Sequence, residues 1–166
     1  PNQVWVSDIS YIPTEEGCLY LAGHKDLYTH LIVGYAMGEK MTTSLIRESL
    51  DQAIANMHPA QGLVDHSDRG TQYCATEFRE LLKKLGIQVS MSGKGNCFDN
   101  APMESFWGIL KQELVHHCRF HTRLEAQRVI SEYIEIFYNR QRLQARLHYL
   151  SPASFALKAL PSLVKE

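Results

Sequence analysis

The sequence predicts one α/β domain in which a mixed β-sheet is flanked by helices. The first forty positions contain three short segments that are rich in β-branched and aromatic residues. This composition is typical of strands. Two further short strands follow, each preceded by a helical apolar pattern. Tightly joined strands pair in an antiparallel manner, whereas crossovers through helices give parallel strands. The order β-β-β-α-β-α-β-α-α therefore predicts a mixed five-stranded sheet.

The first three strands are expected over about Val4 to Tyr11, Cys18 to Gly23 and Leu31 to Met37. Glu15-Glu16-Gly17 supplies a turn between the first two. Because the connections are short, these three strands should be antiparallel neighbours.

Helices and strands alternate in the middle of the chain. A helix capped by Thr42 or Thr43 precedes a fourth strand at Gly62 to His66. The next helix closes at Gly86, a residue that suits the left-handed position after a helix end. A short fifth strand is expected from Ile87 to Met91.

The last third of the chain is expected to be helical. A Gly-rich loop, SGKGN, precedes a helix that is capped by Asp99 or Asn100, has Pro102 in its first turn and runs to about His117. A final long helix begins at Thr122, where TRLE forms a capping box.

Size and composition restrict the class of protein. At 166 residues the chain is most simply one domain, and its tail, about 139–166, is basic. Residues 1–83 carry a net charge of −5 and residues 84–166 a net charge of +4, which permits an acidic site in one half and a polyanion-facing surface in the other. No apolar run is long enough for a transmembrane helix, and no signal peptide is visible. The four widely spaced cysteines favour a reducing cytoplasm, with buried or idle thiols.

Three carboxylates stand out by their positions. Asp8 lies inside the first strand, on the same face as Val4 and Val6. Asp68 follows the fourth strand, and Glu104 lies in the first turns of the helix after the Gly-rich loop. If the fourth strand lies beside the first, the two aspartates come together.

Such a group of carboxylates has a specific chemistry. Neighbouring carboxylates raise each other's pKa unless a cation lies between them. Two Mg²⁺ ions about 3.5–4 Å apart clamp the attacking and leaving oxygens of an in-line phosphoryl displacement. Lys111 projects from the same helix face as Glu104, seven residues later, where it is placed to contact a nucleic-acid phosphate.

Each residue also has an ordinary interpretation. An Asp at a strand end is most often a turn residue, and a Glu in a first helical turn complements the helix dipole. The cluster from His116 to His121 has no second Cys/His pair nearby, which disfavours a zinc site. Trp5, Phe106 and Trp107 are core residues or base-stacking platforms.

The combination of motifs resembles one family. Thirty-five residues separate Asp68 from Glu104, and Lys111 follows that Glu at plus seven. WVSDISYI, HSDRGTQY, GNCFDNAPMESFWGILKQE and YNRQRLQARLHYLSP occur in that order. The chain is similar, from about Val4 to Leu157, to the integrase-like D-D-35-E catalytic core of bacterial insertion-sequence transposases. Two tail positions depart from the family pattern: Gln144 stands where a His is usual and His148 where a Gly is usual.

The resemblance implies a ribonuclease-H-like fold. It also implies that Asp8, Asp68 and Glu104 are the catalytic, metal-binding triad, with two Mg²⁺ or Mn²⁺ ions in the active complex. The implied reaction cleaves a DNA strand at the element end with water, and the 3′-hydroxyl then attacks a second phosphodiester. It further implies self-association into a dimer or a larger synaptic complex.

The same resemblance suggests which residues face DNA. Lys111 would contact DNA near the element end, and His66, Arg69, Asn100 and Lys94 of the SGKGN loop would line the substrate groove. The helix-turn-helix region that such transposases carry near the N-terminus is not among these 166 residues. We therefore expect weak DNA binding with little sequence preference from this chain alone.

Two other functions remain open at this stage. One is a ribonuclease-H-like nuclease that hydrolyses DNA without joining it, and the other is an inactive DNA-binding or assembly module. The intact triad disfavours the module, and the 35-residue spacing with the DNAPMES context favours the transposase core over the nuclease.

Overall fold

The computed structural model describes residues 1–68, 70–92 and 100–159. One mixed sheet has the strand order β3-β2-β1-β4-β5. The pairs β1–β2 and β2–β3 are antiparallel, and β1–β4 and β4–β5 are parallel. The strands are β1 (Val4–Ile12), β2 (Leu19–Asp26), β3 (Ile32–Gly38), β4 (Val64–Ser67) and β5 (Gln88–Met91). The predicted mixed five-stranded α/β sheet is confirmed. The fourth strand lies beside the first, which is the arrangement that the approach of Asp8 and Asp68 requires.

Helices cover both faces of this sheet. The helices are α1 (Thr43–Met57), α2 (Thr71–Cys74), α3 (Thr76–Lys84), α4 (Ala101–Glu113), α5 (Arg123–Glu132) and α6 (Pro152–Ala159). Short 3₁₀ turns lie at Val115–His117 and Ala145–Leu147, and α5 continues as a π-helix over Tyr133–Gln141. Within the described ranges, no helix is both long enough and apolar enough to cross a bilayer.

Local capping explains several of the element boundaries. The Thr42 side chain accepts from Leu45 N at 3.3 Å, and the Thr122 side chain accepts from Glu125 N at 3.1 Å, so both predicted N-caps are correct. The Glu125 carboxylate accepts from His121 N rather than from Thr122 N, one residue before the position that a capping box specifies. Gly86 has a φ of 72°, as expected for the residue that ends a helix.

One sequence-based boundary differs from the structure. The helix predicted to reach His117 ends at Glu113, because Leu114 leaves the helical conformation and the following 3₁₀ turn buries Val115 in the core. The Asn100 side chain makes no capping hydrogen bond. Cys18, Cys74 and Cys118 are exposed, so these thiols are not buried in the core.

The two faces of the sheet bury separate hydrophobic clusters. Alternation along β1 directs Val6 towards α4 and α5 and Trp5 towards α1 and α3. Asp8 lies two residues after Val6, so its side chain projects from the α4 face. The sheet therefore holds this carboxylate between a rigid strand and the helix that carries Glu104.

Candidate active site

Asp8 and Asp68 each follow the last paired residue of two neighbouring parallel strands, β1 and β4. The last paired positions of β1 and β4 are Ser7 and Ser67, and each aspartate is the next residue along its own strand. Neighbouring strands are about 4.8 Å apart. Since β4 ends at Ser67 while β1 continues to Ile12, Asp68 begins the loop that leaves the sheet beside Asp8.

Trp107 of α4 orients the Asp8 carboxylate. Its Nε1 donates to Asp8 Oδ2 at 3.0 Å. Gly23, the β2 partner of Asp8, leaves room for the indole ring, because a Cβ at Gly23 would lie 3.1 Å from Trp107 Cη2. The absence of a side chain on β2 therefore lets α4 approach the strand that carries the acid.

Burial raises the pKa of Asp8 from 3.8 to about 6. Hydrogen bonds from the Ile9 backbone and from Trp107 oppose this rise in pKa, and the negative charges of Asp68 and Glu104 add to it. Two further carboxylate charges therefore act on the buried Asp8, and a bound cation would relieve this repulsion.

Asp68 is held by its own loop. Its Oδ1 accepts a hydrogen bond from Gly70 N at 2.8 Å, which closes a short side-chain-to-backbone turn. Tyr73 lies buried beneath this loop, and burial raises its pKa well above the ordinary value, with further rises from the charges of Asp8, Asp65 and Asp68. The loop therefore fixes one oxygen of Asp68 at the edge of the acidic site.

Glu104 lies in the first turn of α4 and is exposed to solvent. Its charge contributes to the raised pKa of Asp8. Even so, within residues 1–68, 70–92 and 100–159 no three His, Cys, Asp or Glu side chains form a group that could hold a metal ion. The structure thus brings Asp8 and Asp68 together on adjacent strands and leaves Glu104 within electrostatic range.

His66 and Lys111 both have partners within the protein. The two ring nitrogens of His66 lie 2.8 Å from Ser90 Oγ and 3.2 Å from Ser92 Oγ, which ties β4 to the end of β5. The Lys111 ammonium lies 4.7 Å from the centroid of the Tyr11 ring, a cation–π contact at the end of β1.

Asn100 is buried rather than open to a groove. Its Nδ2 donates to the carbonyl of Ser7, the residue before Asp8, at 3.4 Å, and its Oδ1 has no partner among the described residues. This contact favours a role in positioning β1 against α4. Arg69 and Lys94, the remaining predicted DNA contacts, lie outside the described residues.

Two residues of the site were missed as functional candidates in the sequence. Trp107 was assigned to the core or to base stacking, whereas its indole nitrogen also donates to Asp8. Lys25 is 5% exposed on β2, and a lysine in the apolar strand LYLAGHKD is the same signal that singled out Asp8. An ionisable residue within an apolar strand therefore indicated a polar site at both Asp8 and Lys25.

A second polar constellation lies in the core behind the site. His24 Nδ1 is 2.6 Å from Ser49 Oγ, and His24 Nε2 is 3.7 Å from Asp65 Oδ2. These three residues resemble a Ser-His-Asp triad in composition, but His24 and Ser49 have no exposed surface and Asp65 is 2% exposed. Since no substrate reaches them, their role is to join α1 to the sheet.

The raised pKa of Asp8 predicts a pH dependence of stability. The folded state binds the Asp8 proton more tightly than the unfolded state, so this stabilisation is complete below pH 3.8 and is lost as the pH rises through about 6. The corresponding free energy is up to about 3 kcal/mol. We expect Asp8→Asn to reduce the loss of unfolding free energy between pH 4 and pH 7 in metal-free buffer.

Urea unfolding at a series of pH values measures this effect. Asp51→Asn is the control, because Asp51 is exposed on α1. An Asp8→Asn protein that keeps the pH dependence of the parent would contradict the proposed environment of Asp8.

Comparison with known proteins adds evidence that does not depend on the site geometry. A family model described as "Integrase core domain" matches residues 1–97, and a second model with the same description matches residues 104–160. The chain is 58% identical over 158 residues to the "Insertion element IS600 uncharacterized 31 kDa protein" of Shigella sonnei, covering 95% of the chain and 58% of that protein. It is 46% identical over 155 residues to the "Transposase for insertion sequence element IS904" of Lactococcus lactis, covering 93% and 61%. The chain thus spans less than two thirds of the length of these relatives.

Solved structures share the fold at low sequence identity. The integrase catalytic core domain of HTLV-2 in complex with magnesium superimposes with a TM-score of 0.72 at 16% identity, covering 93% of this chain and 96% of that one. The catalytic core domain of BIV integrase also gives 0.72, at 17% identity, with 99% and 100% covered. The fold is therefore that of the retroviral integrase cores, which is ribonuclease-H-like.

Proposed function

The chain belongs to the integrase core domain family as an insertion-sequence transposase core, and we propose that it catalyses metal-dependent cleavage and joining of DNA strands. The observation that supports this most strongly is that Asp8 and Asp68 each follow the last paired residue, Ser7 or Ser67, of two neighbouring parallel strands, with the charges of Asp68 and Glu104 acting on Asp8. A buried carboxylate of raised pKa with two further acids near it is typical of a functional site.

The donor set fits a hard divalent cation. Asp8, Asp68 and Glu104 offer only carboxylate oxygens, which Mg²⁺ and Mn²⁺ prefer over nitrogen or sulfur ligands. Burial is the main cause of the raised pKa of Asp8, and the negative charges of Asp68 and Glu104 add to it. We therefore assign these three residues as the ligands of two ions in the active complex.

The protein's own groups prepare the site for this chemistry. Trp107 Nε1 and Gly70 N each hold one carboxylate oxygen, so Asp8 and Asp68 present a fixed orientation. Ions bound there would neutralise the attacking and leaving oxygens of an in-line phosphoryl displacement. Because water and a DNA 3′-hydroxyl attack in the same way, one set of ligands can serve both strand cleavage and strand joining.

The proposed substrates are the DNA of an element end and a target DNA. Lys111 lies on α4 with Glu104, and His66 lies on β4, which ends just before Asp68. We retain these two residues, with Arg69 and Lys94, as proposed DNA-side residues, whereas the buried Asn100, which the sequence also suggested, is proposed to position β1. The HTLV-2 integrase core has been solved in dimeric and trimeric forms, and we propose that this chain also self-associates when it brings DNA ends together.

The test is an assay of the protein on labelled element-end DNA with Mg²⁺, with Mn²⁺ and with EDTA. We expect nicked and joined products with either metal and neither product with EDTA. Nicking without any joined product would favour the ribonuclease-H-like nuclease. If DNA is bound but neither product forms with either metal, the catalytic assignment is wrong.

A further inference from the structure

A basic pocket lies beside the site, between the end of β2, the first turn of α4 and the arm that follows α5. Its volume is about 690 Å³. Lys25, Pro102, Tyr138 and Arg146 are among the residues that line it. Pro102 is two residues before Glu104, so the pocket adjoins the helix end that carries the third acid.

Lys25 is an uncompensated cation in the wall of this pocket. Its side chain is almost fully buried, and its ammonium donates to the Pro102 carbonyl at 3.1 Å. In the part of the chain that the structure describes, no carboxylate lies within ion-pair distance of Lys25. Burial, with smaller contributions from the charges of Arg146 and Arg142, lowers its pKa to about 8, and the ammonium therefore remains mostly charged at pH 7. A buried charge of this kind is stable when an anion accompanies it.

Two buried hydrogen-bond donors face the same space. Tyr138 has no exposed surface, and its hydroxyl has no hydrogen-bond partner in the described residues. Gln144 Nε2 is likewise buried without a partner there, while Gln144 Oε1 lies 2.9 Å from His30 Nδ1. Gln144 is near enough to lower the pKa of Tyr138, against the larger effect of burial, but the geometry between the two groups does not make a hydrogen bond. Both atoms are thus buried polar groups in the wall of the pocket.

The charge balance of the pocket favours an anion. Arg142 is neutralised by Glu113, whose Oε1 lies 2.7 Å from Arg142 Nη2. Asp26 is already engaged by the Thr29 backbone N–H and hydroxyl, each at 2.7 Å. Lys25 and Arg146 therefore leave about two positive charges without a protein partner among the described residues. Two cations with nearby O–H and N–H donors match the recognition chemistry of a phosphate group.

We propose that this pocket binds a phosphate of the DNA backbone and so attaches the arm around Gln144 and Arg146 to the end of α4. The proposal rests on the proposed function, because a DNA strand that passes the carboxylates is the source of phosphate beside Glu104. The bound phosphate would fix α4 relative to the sheet while DNA is present.

DNA binding at different salt concentrations tests the proposal. Binding of a labelled duplex is measured in EDTA, so the result does not depend on catalysis. Arg146→Ala is expected to weaken binding roughly 5- to 10-fold at about 100 mM salt and to reduce the slope of log affinity against log salt by about 0.9, the contribution of one phosphate contact. Arg47→Ala is the matched control, since Arg47 is an exposed arginine on α1, which packs on the opposite face of the sheet. It should leave both quantities unchanged.

A second variant and a second ligand separate the sources of phosphate. Lys25→Gln should show the same loss of slope as Arg146→Ala, and thermal unfolding checks that it is folded. An unchanged slope in Arg146→Ala overturns the proposal. If inorganic phosphate nevertheless raises the Tm of the parent, the pocket binds free phosphate and not the DNA backbone, and the proposal is still overturned. A parent that binds DNA through this pocket but gives no nicked or joined product overturns the proposed function and leaves the pocket intact.

Discussion

Asp68→Asn is expected to lower metal-dependent cleavage and joining of DNA by roughly 10³-fold or more while leaving the fold intact. Removing a single electrostatic contact from a reacting centre costs roughly 10²–10³-fold, and this change removes a charge that is assigned to the metal ions. Asn keeps the size of the side chain and its Oδ1, so the hydrogen bond from Gly70 N can persist. Rates of product formation with Mg²⁺, measured beside thermal unfolding, distinguish lost chemistry from lost structure.

The same variant has a second readout that does not depend on activity. The Asp68 charge contributes to the raised pKa of Asp8, so Asp68→Asn should lower the pKa of Asp8. Asp51→Asn, an exposed change on α1, should affect neither the rate nor this pKa. Joining by Asp68→Asn at the rate of the parent would refute the role assigned to Asp68.

Strand pairing is the part of the site that the sequence could predict. Alternation in VWVSDISYI places Asp8 on the face of Val6, and a short β4 after a helical crossover is expected to run parallel to its neighbour. Together these two inferences predict that Asp8 and Asp68 lie near each other, and the pairing of Ser7 with Ser67, the residues just before them, agrees with this. Both depend on local periodicity and connection length, which a sequence contains directly.

The environment of the carboxylates depends on contacts between distant residues. Trp107 reaches Asp8 across 99 positions of the chain, and Lys25 reaches the Pro102 carbonyl across 77. Neither contact has a local signal, because each depends on how closely α4 approaches the sheet. The distance between α4 and the sheet depends on the absence of a side chain at Gly23. The sequence does not reveal this role, because it does not show that Trp107 packs against Gly23.

The end of α4 and the π-helix after α5 also could not be predicted from local sequence patterns. Apolar periodicity extends through Val115, yet the helix ends at Glu113 so that Val115 can enter the core. Tyr133 and Tyr138 lie on the π-helical stretch and point inward, towards Glu113 and the pocket respectively. Tertiary packing, and not the apolar periodicity of the sequence, determines where α4 ends and where the π-helix forms.

Gly34→Ala is expected to have the largest effect on stability in this chain. Gly34 lies on β3 directly beneath α1, and a Cβ there would be 2.5 Å from Ala53 N and 2.6 Å from Ala53 Cβ, and would also meet the Ser49 carbonyl oxygen. Most of these atoms belong to the helix backbone, so no rotamer change relieves the overlap. Since overpacking of a core costs about 1–3 kcal/mol even where side chains can adjust, we expect the free energy of unfolding to fall by about 3 kcal/mol or more.

The effect should extend beyond the contact itself. His24, the cross-strand partner of Gly34, is held by Ser49 of the same helix, so a displaced α1 also disrupts the buried interaction with Asp65 of β4. Gly108→Ala is the matched control, because Gly108 is exposed within α4 and a Cβ there meets no atom within 4 Å. That change should stabilise the protein by about 0.5–1 kcal/mol through helix propensity. Urea unfolding of both variants measures the difference, and a Gly34→Ala protein as stable as the parent would mean that α1 does not pack directly on β3.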